Sequence, residues 1–145
     1  MDTGGDRMIL YVLKMPDGTL DVVKDDGRSA FAGSVRRFCD LIAARRLSTA
    51  DAAAKTAARL DGSRRLVPLF LEATTILIPI RGARGPESLF LNAPAVAKIR
   101  QNRDGAGIVT FRDGTVLQTP SHAFLRRQMA RAERIAIFLK TSGNW

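Results

Sequence analysis

Hydrophobic and polar positions along the chain fall into blocks, and the period of each block predicts an element. Met8-Ile9-Leu10-Tyr11-Val12-Leu13-Lys14 is dense in β-forming residues, and Pro16-Asp17-Gly18 is a turn signature. Thr19-Leu20-Asp21-Val22-Val23 then reads as the returning strand of a hairpin, closed by Asp25-Asp26-Gly27. Over residues 34–46 the period lengthens. Val35, Phe38, Cys39, Ile42 and Ala43 recur at helical spacing, while Arg36, Arg37, Asp40, Arg45 and Arg46 lie mostly on the other side. This predicts an amphipathic helix capped by Ser34. A second helix is predicted from Thr49 to about Leu60: Ser48 and Asp51 have capping-box spacing, alanine fills the interior, and Asp61-Gly62 stops it.

From Leu66 onward the pattern turns to β. Leu66 to Leu71 is a strand that Pro68 assigns to a sheet edge. Glu72-Ala73-Thr74 turns, and Thr75 to Ile80 is the next strand. Arg81-Gly82-Ala83-Arg84-Gly85-Pro86-Glu87 reads as a flexible basic loop, followed by a short buried strand from Ser88 to Leu91. Val96 to Gln101 alternates outward Lys98 and Arg100 with inward Ala97 and Ile99. Asp104-Gly105-Ala106-Gly107 is a hairpin loop, and 108–111 pairs with 115–118 across Arg112-Asp113-Gly114, where Asp-Gly favours a type I′ turn. Ser121 caps a closing helix to about Leu139. Leu125, Met129, Ala132, Ile135, Ala136 and Leu139 form its apolar stripe, with Arg126, Arg127, Arg131 and Arg134 fanned over the other half. The expected class is α+β: a mostly antiparallel sheet with an N-terminal hairpin, two central helices and a C-terminal helix. The acidic hairpin, 1–27, and a basic region, 28–145, are expected to form one compact domain.

Composition sharpens this picture in a few places. The chain has 145 residues, and a domain of this size buries roughly 68% of its unfolded surface, enough for a core without disulfide or metal staples. With one cysteine, Cys39, and one histidine, His122, it forms no intrachain disulfide and no Cys/His zinc site by itself. No apolar run approaches a membrane span, and the acidic start has no signal-peptide core, so a cytoplasmic protein is expected. Charge is uneven. Lysine and arginine number 23 against 14 acids, for a net +9, and 18 of those cations are arginine. Residues 1–27 carry net −3 and the remaining 118 carry net +12. Such a field attracts polyanions, and the planar guanidinium suits phosphate and groove contacts.

The residue types for catalysis do not assemble. His122 stands beside Ser121 at a helix start, where neighbours in sequence cannot make a triad pair, and Cys39 lies on an apolar stripe. The 81–86 segment has glycines but no Walker lysine. Neither an enzyme nor a cofactor is expected, and nucleic-acid binding is the surviving theme. Arginines on a small loop suit a narrow minor groove, and helix arginines suit phosphates. Few aromatics lie among them, which disfavours stacking on single strands.

An ordered series of residues from Leu66 to about Arg134 extends this reading. Val67-Pro68 precedes a strand that ends at the Pro79 step, and an arginine-and-glycine loop runs to Pro86. Phe90-Leu91 and the Val96–Ile99 strand follow, then Val109-Thr110-Phe111-Arg112-Asp113-Gly114, Pro120-Ser121, and Gln128 with Arg131 in the last helix. In this the chain resembles the competence transcription factors, the ComK family. It departs from them at Phe90, where the family usually has tryptophan, and at Ile80, where a small hydroxyl residue is common. A long tail of the kind through which some members reach an adaptor and protease is not expected. The resemblance implies an oligomeric transcription activator that binds AT-rich double-stranded DNA from the minor-groove side in repeated half-sites, with a regulatory protein partner. On this reading Arg81 and Arg84 enter the groove, Arg100, Arg103 and Arg112 contact phosphates, and Arg127, Arg131 and Arg134 support them. The rivals are a LytTR-like DNA-binding domain and a non-catalytic basic interaction module, such as a phage or mobile-element accessory protein.

Overall fold

In a computed structural model of the protein the described residues are 7–63, 65–82 and 85–141, with the backbone alone at 82 and 85–87. The β-rich start forms β1 (Ile9–Lys14) and β2 (Leu20–Lys24), joined by the Pro16-Asp17-Gly18 turn. A third strand, β3 (Gly27–Phe31), follows where the pattern suggests only a closing turn. Its first four residues are all exposed, so it lies at a sheet edge without the alternation that would mark it. Next come α1 (Val35–Ala43), a short 3-10 turn (Ala44–Arg46) and α2 (Ala50–Asp61). Ser34 caps α1 by accepting from the Arg37 N–H, as its position predicts. The cap of α2 is Thr49 rather than Ser48: the Thr49 hydroxyl accepts from the Ala52 N–H, while the Ser48 N–H donates back to Ala43.

The remaining strands are β4 (Leu69–Glu72), β5 (Thr75–Gly82), β6 (Gly85–Asn92), β7 (Val96–Gln101), β8 (Gly107–Phe111) and β9 (Val116–Thr119), and α3 (His122–Thr141) closes the chain. They make two antiparallel sheets, one of six strands in the order β3-β2-β1-β6-β5-β4 and one of three in the order β7-β8-β9. The architecture is α+β. The N-terminal strands sit inside the same sheet as residues 69–92, with β1 paired to β6 through Tyr11↔Leu91 and Leu13↔Leu89.

Strand alternation explains the layering. Leu77 and Phe90 point to one face, where they pack with Val12, Leu20, Cys39 and Ile42 beneath α1 and the start of α2. Ile78, Ile80, Leu89 and Leu91 point to the other face, against Val109 and Phe111 of the small sheet and Leu125 of α3. Tyr11 stacks on Phe111 across the two sheets, ring centres 5.6 Å apart. A third cluster, Ala57, Val67, Phe70, Ile135 and Leu139, joins α2, β4 and the far half of α3. Gly107 lets α3 start close to β8: a Cβ there would stand 2.8 Å from Leu125 Cδ2. Among the described residues no helix is long and apolar enough to cross a membrane.

Three hairpins share one turn. At Met15, Asn102 and Phe111 the N–H donates to the carbonyl four residues on, and the carbonyl accepts from a glycine N–H three residues on. The glycines, Gly18, Gly105 and Gly114, have φ of 88°, 82° and 93°, and the aspartates before them do not adopt positive φ. Arg112-Asp113-Gly114 is therefore a type I turn with a glycine bulge, not the expected type I′ turn, which needs positive φ at both central residues. Asp113 Oδ1 accepts from the Thr115 N–H at 2.9 Å, holding the turn from within. On β7 the predicted alternation slips, because a bulge between Val96 and Lys98 leaves Ala97 exposed instead of inward.

Candidate nucleic-acid interface

The segment 81–87 is mostly strand rather than loop. β5 runs to Gly82 and β6 starts at Gly85, and the two glycines are register partners. Register shows what this hairpin does. On one side β1 stops pairing with β6 at Leu13↔Leu89; on the other β4 stops pairing with β5 at Leu69↔Leu77. Beyond Ile80↔Leu89 no other strand pairs with either one, and the two continue as a two-stranded ribbon through a bulge to Gly82↔Gly85, about 7 Å further along β5 at ~3.3 Å per residue. Pro79 sits at its root. The Pro79 carbonyl, no longer matched by β4, accepts from the Gln128 side chain at 2.8 Å. Arg81 is exposed on this ribbon. Arg84 lies outside the described residues.

A second group of cations gathers at one end of the small sheet. Val109 and Phe111 face the core, so Ile108 and Thr110 face outward. The register sets Arg100 beside Ile108 and Lys98 beside Thr110. Gln118 and Val116 continue these two rows on β9, with Val116 59% exposed. Arg103 is in the β7–β8 turn, and α3 begins beside that turn because the His122 N–H donates to Gly105. From the first turn of α3, Arg126 reaches back to the Ile99 carbonyl at 3.4 Å and to His122 Nε2 at 3.3 Å. Arg100, Arg103 and Arg126 are all exposed at this end. Arg126 is not among the arginines that the sequence pattern singles out for DNA contact. Its signal is the four-residue spacing from His122, which becomes informative only once α3 is known to start against the β7–β8 turn.

Arg112 is at the opposite end of the small sheet, about 17 Å away along the five residues of β8. Its Nε donates to the Pro94 carbonyl at 2.6 Å, which pins the side chain to the turn between the two sheets. Arg127 and Arg134 are exposed and, seven residues apart, share a face of α3. Arg127 lies 5.8 Å from the Phe124 ring centre, and Arg134 lies 3.5 Å from Asp61 Oδ1. Among the described residues Arg100, Arg103, Arg112, Arg126 and Arg127 make no ion pair.

Arg131 has a different place. Its side chain is 10% exposed and pairs with Asp61, which is 7% exposed. It also donates to the carbonyls of Ser63, Arg65 and Leu66 and to Gln128 Oε1. Its donors are spent on the 61–66 segment, so it is removed from the set of phosphate contacts. A helix position between Gln128 and Ile135 on the apolar stripe is the physical reason: i+3 and i+4 from buried residues turn it inward.

The groups that could suggest other chemistry are quiet. Cys39 is fully buried, and burial, with the neighbouring Asp40 carboxylate, pushes its thiol up to about 12. Among the described residues no three His, Cys, Asp or Glu side chains gather where a metal could be held. No protein-family model, no curated protein and no solved structure matches the chain.

Proposed function

We propose that this protein is a double-stranded DNA-binding transcriptional regulator, resembling the competence activators, that reads AT-rich sites from the minor groove as a homo-oligomer. The observation that carries the reading is the β5–β6 ribbon, which outruns both neighbouring strands and bears Arg81 where no other strand covers it. A two-stranded ribbon carrying an exposed arginine fits a narrow groove, where the potential is most negative. Arg100, Arg103 and Arg126, clustered and without carboxylate partners, suit phosphates flanking that groove, and Arg112, Arg127 and Arg134 extend the cationic surface. Ile137 and Phe138, 63% and 51% exposed on α3, are apolar surface that association of copies would cover.

The test is binding to AT-rich and GC-rich duplexes of equal length, followed by fluorescence anisotropy across a salt series. The AT-rich duplex is expected to bind more tightly. Replacing Arg81 and Arg84 together with alanine is expected to remove that preference while the circular dichroism spectrum stays unchanged. A variant that keeps the preference refutes the ribbon's role. No duplex binding at modest ionic strength sinks the whole reading and leaves the basic interaction module, which Val116, exposed in the same cross-strand row as Lys98 and Thr110 on the small sheet, favours.

A further inference from the structure

We infer that the cleft between the starts of α1 and α2 and the root of the ribbon binds a small organic acid, one anionic head on an apolar body. The cleft has a volume of about 570 Å³, with Lys14, Arg36 and Arg65 around it and Val67, Pro79 and Phe90 among its apolar lining. Sites for small organic ligands run from about 300 to 1,000 Å³, and a space of this size excludes a duplex. Charge decides what kind of ligand fits. Arg36 and Arg65 face one carboxylate, Asp51, which is itself paired with Lys55 at 3.1 Å. The surplus suits a single carboxylate or phosphate head rather than a polyphosphate.

Backbone adds to the same field. Val35 and Ala50, the first residues of α1 and α2, both line the cleft, so the positive ends of two helices meet there. The N–H groups of Arg37, Ala50 and Ala52 are held by Ser34, Asp40 and Thr49. Those of Val35, Arg36 and Asp51 find no acceptor among the described residues. Arg65 is presented by a locked segment. Its carbonyl and that of Leu66 accept from Arg131, Leu66 also accepts from Gln128, and Leu66 is held at φ 50°. Strain of this kind persists only where the surroundings fix it, and it leaves little ordering to be done when a ligand arrives. Pro79 and Phe90 are register partners two residues from Arg81, so an occupant would press on the base of the ribbon.

The experiment is a fluorescence titration of the full chain with anilinonaphthalene sulfonate, an aromatic body with one anionic group, followed by displacement. Saturable one-to-one binding is expected, reversed by decanoate or by decyl phosphate; whichever acts at lower concentration identifies the head group. Decanol, which has the body without the charge, and inorganic phosphate, which has the charge without the body, are expected to leave the probe bound. The Arg36→Gln, Arg65→Gln double variant is expected to weaken binding at least about tenfold, as loss of charge-assisted hydrogen bonds implies, with an unchanged melting curve. Ala54→Glu, which puts an acid into the cleft, is a second variant expected to abolish binding. Absence of saturable binding, equal displacement by decanol or by inorganic phosphate, or wild-type affinity in both variants overturns the inference. Because the probe is read without DNA, failure here leaves the DNA reading standing, and failure of DNA binding leaves this site standing.

Discussion

The guanidinium of Arg131 closes on the carboxylate of Asp61 and so ties the last helix to the end of α2 at a place nearly closed to water. Removing one partner of such a pair costs far more than the pair contributes, because the other charge stays buried. Arg131→Met is expected to lower stability by about 3–5 kcal/mol, which for a chain of this size is a fall of roughly 6–20 °C in Tm. Arg134→Met, whose side chain is 61% exposed, is expected to cost under about 1 kcal/mol. Urea denaturation of the two variants checks the contrast.

The same pair separates folding from binding. If Arg100, Arg103 and Arg126 each neutralise one phosphate, alanine at any of them reduces the log–log salt slope of duplex binding by about 0.9. Arg131→Met, measured where it is still folded, is expected to leave the slope unchanged. Anisotropy at four or more salt concentrations gives the slopes, and three unaltered alanine variants would remove this end of the small sheet from the interface.

Asn92 is fully buried and makes three bonds. Its amide donates to the carbonyls of Ile9 and Thr74 at 2.6 and 2.9 Å, and its oxygen accepts from the Ile76 N–H at 2.8 Å. One side chain thus joins β1, β5 and the turn before β5. Asn92→Ala leaves one buried and two part-buried backbone groups unmatched and is expected to cost about 2–3 kcal/mol, since a buried group left unmatched costs roughly 1–3. Asn92→Asp, which keeps the shape but loses the donors, is expected to be no better. Thermal melts of both variants test this.

Cys39 gives a pH signature. Its thiol is raised from 9.0 to about 12 in the folded chain, first by burial and then by Asp40. The unfolded thiol ionises first as pH rises, so stability is intact below pH 9 and is lost from there toward 12, at about 1.4 kcal/mol per pH unit. Cys39→Ala is expected to flatten the alkaline slope of the unfolding free energy. The native thiol is expected to resist maleimide at pH 8 and react once urea unfolds the chain; rapid native labelling would contradict the burial.

Much of the fold is legible because it rests on local rules. Ser34, the amphipathic run 35–43, the glycine turns and the closing helix each carry their own signal, and each element stands close to its expected place. What is not legible depends on partners distant in sequence. Gly27–Phe31 is a strand because β2 offers it an edge, not because its residues alternate. The segment 81–87 looks like a loop because glycine and proline are weak strand formers, yet β5 runs to Gly82, β6 starts at Gly85 and those two residues are register partners. The spacing of Arg131 from Gln128 and Ile135 sets it nearer the buried face than Arg127 or Arg134. What the sequence does not reveal is its partner, Asp61, seventy residues earlier.

The place of β1 in the middle of the large sheet has a consequence for synthesis. Its bonding edge is matched by Leu89–Leu91, so a ribosome that has just released β1 and β2 must add some seventy further residues before that edge is covered. At about 5–20 residues per second the interval lasts roughly 4–15 seconds. For that time an apolar hairpin stands half-finished at the tunnel exit, the stage at which a nascent chain most needs shielding from its neighbours.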